Sequence, residues 1–202
     1  LDVFEMHPLI DAIIVVSLKS WMDRTKAMMK NYNINKVVRV VEGGDNVQQS
    51  TYNGLCAAKE WLEDFNQKKG MANVDDCIIL IHDSVRPMIN EELITRNIEN
   101  ARRYGNSITV APPTDTFIIE EEGEHRLFPR EHVHIVRAPQ VFFLSEIMKL
   151  HERAIADGKQ GYSDCCSLMC EYGIPFHETM GENVNIKITY PEDIKIFRRL
   201  KG

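Results

Sequence analysis

The chain has 202 residues, enough for one domain with a sizeable core and short for two. Apolar residues make up 44% and charged residues 27%, with 24 Lys and Arg against 30 Asp and Glu for a net charge of −6, a balance that argues against a general nucleic-acid or membrane-surface binder. No apolar run approaches the ~20 residues that span a bilayer, and Leu1-Asp2-Val3-Phe4-Glu5 lacks the basic start and apolar core of a signal peptide, so a cytoplasmic protein is expected.

Strand-like and helix-like segments alternate. Asp11 to Val16 is a short run rich in β-branched residues and predicts a buried strand. From about Leu18 to Tyr32 the spacing turns helical, with Trp21, Thr25, Met28, Met29 and Tyr32 along it and the Trp and Met residues read as core packing. Lys36 to Val41 is a second strand, ending in the turn signal Glu42-Gly43-Gly44-Asp45-Asn46. A helix follows from about Val47 to Phe65, with Leu55, Ala58 and Leu62 along one side, and Cys77 to Ile81 is the third strand. Asn90 is a good N-cap for a helix to Tyr104, with Glu91 and Glu92 in its first turn. Ser107 to Ala111 and Thr116 to Glu120 read as strands, Leu144 to Ala156 and Asp164 to Tyr172 as helices. Pro175 to Met180 and Val184 to Ile188 read as short strands, and Pro191 to Leu200 as a closing helix with Pro in its first turn.

This order predicts an α/β fold with a mostly parallel sheet and helices on both faces. The piece from Pro113 to Val136 does not fit the alternation and is too long for an ordinary connection. A protruding β-arm accounts for it, and such arms commonly make dimers. The five cysteines match neither a secreted disulfide framework nor a common zinc pattern, so small buried thiols are expected at Cys165, Cys166 and Cys170.

Four polar clusters follow strands. In Ile78-Ile79-Leu80-Ile81-His82-Asp83-Ser84-Val85-Arg86-Pro87 an apolar strand stops at a carboxylate and a guanidinium. Open α/β sheets bind ligands there, Arg suits phosphate, and Asp83 suits a metal or a ligand hydroxyl. An Asp-started turn with a solvent-facing Arg is the other reading. Gly43-Gly44-Asp45 with Ser50 permits close backbone approach to a ligand, or is a plain glycine turn. It is not a G-x-G-x-x-G fingerprint and gives no support to NAD. Thr114-Asp115-Thr116 is a ligand contact or an Asx/ST turn. In Asn183-Val184-Asn185-Ile186-Lys187-Ile188-Thr189 a lysine sits amid strand-like residues, where an anion would offset its burial, unless it blunts an edge strand. His125, His132 and His134 read as arm surface, and Arg130 alone reads as an ordinary surface charge.

Taken in order, Gly43-Gly44-Asp45, Ser50, Asn53-Gly54-Leu55, His82 to Pro87, Asp115-Thr116, Ala138-Pro139-Gln140-Val141-Phe142, Ser163-Asp164 and Asn185 to Asp193 resemble the cytidylyltransferases that act on sugar-alcohol phosphates. That family includes the 2-C-methyl-D-erythritol 4-phosphate and ribitol-5-phosphate enzymes, and the likeness runs from Val3 to Leu200. The resemblance implies a single Rossmann-like nucleotidyltransferase domain over residues 1–202, a β-arm at 113–136, a homodimer through that arm, and CTP used with Mg²⁺. It implies that Gly44, Asp45 and Ser50 recognise the cytosine end of CTP. Asp83 and Arg86 would stand beside the reacting phosphates and the polyol, and Lys187 on the α-phosphate. Thr116 and Arg130 would reach the polyol phosphate in the partner subunit, and Ser163 would line the substrate site.

Transfer of CMP onto a phosphate oxygen needs two anions held in line and the developing charge neutralised, with no side-chain nucleophile. The family opens with a strand and a Gly-rich loop carrying an Arg, with a Lys further on. This sequence begins after them, inside what would be the first helix, so the natural protein is expected to be longer. A sheet lacking that strand is expected to be poorly stable. The family usually has Arg at Val47 and often Gln-Thr at Arg137-Ala138, so Arg137 adds a charge near the substrate. Ser84-Val85 leans toward ribitol-type members and Pro191-Glu192-Asp193 toward erythritol-type ones, giving methylerythritol phosphate as the expected acceptor. A transferase for another sugar phosphate would keep Asp83 and Lys187 but change the Asp45 loop. A non-catalytic dimeric relative would release no pyrophosphate.

Overall fold

A computed structural model describes residues 1–69 and 73–202. The elements are helix α1 (Asp2–Met6), strand β1 (Ile13–Ser17), helix α2 (Met22–Asn31), strand β2 (Val37–Glu42), helix α3 (Val47–Lys69), strand β3 (Ile78–Ile81), helix α4 (Glu91–Tyr104), strands β4 (Asn106–Ala111), β5 (Phe117–Glu121), β6 (Glu124–Phe128) and β7 (Ile135–Phe143), helices α5 (Leu144–Ala156) and α6 (Cys165–Glu171), strand β8 (Glu178–Met180) and helix α7 (Pro191–Lys201). Among the described residues no helix is long and apolar enough to cross a membrane.

Local chemistry sets several boundaries. The Asn90 side chain accepts the Leu93 amide at 2.9 Å and starts α4, and Gly105, at φ +91°, ends it. Asp164 caps α6 by accepting the Ser167 amide at 2.7 Å. At α7 the Asp193 carboxylate accepts the amides of Thr189 and Tyr190, both at 2.8 Å, and these bonds hold its pKa below the usual value.

The mostly parallel sheet expected from the alternation is a set of small mixed sheets. β1 and β2 pair in parallel, and a second sheet runs β3-β7-β4-β8. In it β7 is antiparallel to both neighbours, while β8 is parallel to β4. The strand order follows from β7, which the sequence pattern does not announce because Arg137, Pro139 and Gln140 interrupt it. The register against β4 shifts between Ile108 and Val110, opposite residues 137–139. A bulge of this kind admits proline inside a strand and turns side chains out of the regular alternation.

Helices do cover both faces. On β3, Ile79 and Ile81 pack into a core with Leu55, Leu62, Phe142, Leu144 and Leu168, whereas Ile78 and Leu80 pack with Ile89, Ile94 and Ile98 on the α4 side. Leu55, Ala58 and Leu62 are buried as their spacing predicts. The face of α2 is a correction: the helix has no fully buried residue, and Trp21, Met28 and Tyr32 are exposed, with the Arg24 guanidinium over the Trp21 ring. Val184 to Ile188 is also not a strand. Its groups bond instead within the segment, to Val85 and to two arginines. Cys165 and Cys166 are buried as expected, but Cys170 is exposed. Within the 113–136 segment β5 and β6 pair with each other as an antiparallel hairpin, and its opposed residues Ile118 and Leu127 are 62% and 71% exposed.

Candidate active site

The topology brings the ends of β3, β4 and β8 together with the start of β7 at one sheet edge. Beyond β3 the chain turns, with the Arg86 amide donating to the Asp83 carbonyl at 3.0 Å. The His82 ring lies against the Arg86 carbonyl, Nε2 at 3.0 Å, and burial pushes its pKa down. Arg86 is not a solvent-facing residue: its side chain is 11% exposed. Its Nε donates to Asp83 Oδ2 at 3.1 Å and its Nη1 to the Asn185 carbonyl at 3.1 Å. Lys187 Nζ stands 3.8 Å from the same Asp83 oxygen. One carboxylate thus serves two cations, and Asp83 and Arg86, read from one segment, form one cluster with Lys187, read from another.

Two further residues of this edge, Asn185 and Arg137, are given no individual site role by the sequence. Asn185 is buried; its side-chain amide donates to the Ala138 carbonyl at 3.2 Å, and its Oδ1 has no partner. Arg137, released toward the edge by the bulge, donates from Nη1 to the carbonyls of Glu182, Asn183 and Asn185 at 3.2, 3.2 and 3.3 Å, and from Nη2 to Asn183 Oδ1 at 3.1 Å. Burial, and after it the neighbouring Arg86 charge, lowers its pKa.

The loop after β2 is built differently from a bare glycine turn. Gly43 N donates to the Ser17 carbonyl at 2.9 Å, Gly44 N to Ser50 Oγ at 3.0 Å and Asp45 N to Gln49 Oε1 at 3.0 Å. A Cβ on Gly44 would lie 2.3 Å from Gln49 Cγ, so the Gln49 side chain would have to move. Ser50 therefore holds the loop. With three amides used internally, the loop retains hydrogen-bond acceptors, among them the exposed Asp45 carboxylate. Such a set suits a base edge that donates, as the cytosine amine does.

Thr116 and Arg130 are exposed on the arm, and Ser163 is exposed beside α6, where its hydroxyl lies 3.3 Å from Asp164 Oδ2. Among the described residues no hydrogen bond or ion pair joins these three to the Asp83 cluster. His125, His132 and His134 are exposed, as expected of arm surface. Among the described residues no three His, Cys, Asp or Glu side chains converge as a metal cage. With one carboxylate in the cluster, Asp83, the residues at this edge would hold a divalent ion only together with phosphate oxygens of a bound nucleotide.

The family model described as 2-C-methyl-D-erythritol 4-phosphate cytidylyltransferase (IspD) matches residues 1–198. The ribitol-5-phosphate cytidylyltransferase of Vibrio parahaemolyticus is 38% identical over 202 residues, covering 99% of this chain and 80% of that protein. The 2-C-methyl-D-erythritol 4-phosphate cytidylyltransferase of Clostridium botulinum strain Langeland is 34% identical over 197 residues, covering 96% of this chain and 79% of that protein. The crystal structure of 4-diphosphocytidyl-2C-methyl-D-erythritol synthase from Anaerococcus prevotii superposes with a TM-score of 0.82 at 28% identity, covering 100% of this chain and 83% of that one. The chain belongs to the IspD family of CTP-dependent nucleotidyltransferases.

Proposed function

We propose that this family member transfers CMP from CTP to ribitol 5-phosphate and releases pyrophosphate. A phosphate oxygen of the acceptor attacks the α-phosphorus of CTP, the new P–O bond forms, and the α–β bridge breaks with its electrons leaving on pyrophosphate. The observation that carries the reading is the Asp83–Arg86–Lys187 cluster, in which two cations share one carboxylate at a strand end. Such a site favours a polyanion, because one negative charge leaves the local balance positive.

In this reading Lys187 is a catalytic residue on the α-phosphate and neutralises charge as it develops. Arg86, fixed by Asp83 and the Asn185 carbonyl, presents its remaining donors to phosphate. Asp83 accepts from an acceptor hydroxyl and would be the carboxylate available to a divalent ion that arrives with CTP. Mg²⁺ bound to the nucleotide would supply further charge neutralisation. Gly44, Asp45 and Ser50 form the cytosine end, with Ser50 holding the loop. Thr116 and Arg130 reach the acceptor phosphate across a homodimer made by the arm, and Ser163 offers a hydroxyl to the same substrate. Residues 1–202 belong to a single nucleotidyltransferase domain.

The acceptor choice departs from the methylerythritol phosphate expected from the sequence. It is supported by the higher identity to the Vibrio ribitol-5-phosphate enzyme, 38% against 34% for the Clostridium enzyme, and agrees with Ser84-Val85. Methylerythritol 4-phosphate is the second reading, favoured by Pro191-Glu192-Asp193. The test is pyrophosphate release from CTP and Mg²⁺ with each acceptor in parallel. Release with ribitol 5-phosphate alone supports the proposal, release with methylerythritol 4-phosphate alone replaces the acceptor, and release with neither from folded protein overturns the reading.

A further inference from the structure

The segment that carries Lys187 is not held by a sheet. Its backbone is tied to the rest of the edge by Arg137, by Arg86 through the Asn185 carbonyl, and by the Ile188 amide, which donates to the Val85 carbonyl at 2.8 Å. Of these ties Arg137 is the broadest, because one planar guanidinium meets three carbonyl groups, those of residues 182, 183 and 185, and an amide oxygen. A rigid fork of donors can span such a set, whereas an ammonium is a point and cannot. Arg137 forms no ion pair with a carboxylate among the described residues, so its bonds are spent on shaping the backbone. The Asn185 carbonyl is the shared acceptor: Arg137 Nη1 meets it at 3.3 Å and Arg86 Nη1 at 3.1 Å. Two residues further on stands Lys187.

We propose that Arg137 is a positioning residue, the brace that fixes residues 182–185 so that Lys187 faces the phosphate site beside Asp83. It acts through Lys187 and by shape, and its effect does not follow from charge alone. The proposal deepens the function reading above and rests on it for the identity of the anion. Misplacing a catalytic group by about 1 Å costs roughly 10²-fold in rate, so the loss of the brace is expected to fall on kcat more than on the KM for CTP.

The experiment is a double-mutant cycle on Arg137→Met, Lys187→Ala and the combined variant, with Arg137→Lys as the shape control. Each protein is measured by calorimetric binding of inorganic pyrophosphate with Mg²⁺, by turnover, and by thermal melting. Arg137→Met is expected to weaken pyrophosphate binding roughly 10-fold and lower kcat roughly 10- to 100-fold. The combined variant is expected to be no worse than Lys187→Ala alone within about threefold, and Arg137→Lys to be nearly as impaired as Arg137→Met. Losses that multiply in full in the combined variant overturn the idea, since they mean that Arg137 acts independently of Lys187. Recovery of wild-type binding by Arg137→Lys overturns it too, because charge would then suffice. The binding arm separates this proposal from the function reading: pyrophosphate binding with the expected cycle, but no turnover of either polyol phosphate, keeps the brace and removes the acceptor. Wild-type protein that fails to bind pyrophosphate removes the brace as well.

Discussion

Lys187→Ala separates catalysis from stability. In the folded protein the Lys187 side chain is 53% exposed and its partner Asp83 41%, with 3.8 Å between the charged atoms. An exposed pair at that distance contributes about 0–1 kcal/mol, and Asp83 keeps its closer bond to Arg86 at 3.1 Å. For a chain of this size each kcal/mol moves the melting midpoint by about 2–4 °C, so the variant should melt within about 4 °C of wild type. Turnover should behave otherwise. Removing one preorganised group aimed at developing charge costs about 10²–10³ in kcat, or about 2.7–4 kcal/mol. The loss should appear in kcat more than in the KM for CTP, because the interaction strengthens as charge builds on the α-phosphate. The assay is continuous pyrophosphate release at saturating CTP and acceptor, with melting on the same preparation and Lys187→Arg as the charge-preserving control. Turnover within about threefold of wild type would remove Lys187 from the mechanism. A midpoint lowered by ten degrees or so would mean that the activity loss reports unfolding, and the separation argued from the geometry would be wrong.

Asn185→Ala should act on stability and turnover together. It removes the buried donor to the Ala138 carbonyl, a loss of about 2 kcal/mol or about 4–8 °C, and an unchanged midpoint would refute that accounting. Arg130→Ala should raise the KM for the polyol phosphate while leaving that for CTP near wild type, and an unchanged acceptor KM would sink the shared-dimer-site reading. His151 supplies a pH dependence. Burial lowers its pKa from 6.5 to about 4, so between those values the unfolded chain binds the proton and the folded one does not. Stability from this group is therefore present above 6.5 and lost as pH falls toward 4, by about 3 kcal/mol in all. Partly buried His82 is shifted in the same direction. Urea midpoints of wild type and His151→Gln from pH 7 to 4 check this, and equal slopes would exclude His151 as the source.

How much of the fold is readable depends on how local its causes are. The start of α4 lies in Asn90 and its acidic first turn, and the buried side of α3 in the spacing of Leu55, Ala58 and Leu62. β3 is readable because its four residues are all apolar and β-compatible. β7 is not, since its polar interruptions are resolved by partners far away: Thr109 Oγ1 bonds the Pro139 carbonyl at 2.7 Å, and Gln140 Oε1 accepts the Cys166 amide at 3.0 Å. With β7 hidden, its antiparallel place between β3 and β4 is hidden too, and the alternation of strands and helices suggests a parallel sheet. The face of α2 misleads for the opposite reason: apolar residues at helical spacing show that a face exists, not that something covers it.

The site divides along the same line. Asp83 and Arg86 stand out at the end of an apolar strand and Lys187 amid strand-like residues, because charge buried there is costly without a partner, and each proves to have another of the three within pairing distance. The strand expected at Val184 to Ile188 fails because alternation records where side chains point and not what the backbone bonds to. Here Asn185 gives its carbonyl to Arg86 and Arg137 and its amide to the Glu182 carbonyl at 3.2 Å. Arg137 is the extreme case. Three of its four hydrogen bonds go to main-chain carbonyls, which every residue possesses, so no identity at 182, 183 or 185 betrays them. Pairing of unlike charges leaves a mark in sequence at both partners, whereas bracing of a backbone leaves one only at the brace. Charged groups paired with one another are accordingly the easier to read, and the backbone contacts on which the role proposed for Arg137 rests emerge only once the chain is folded.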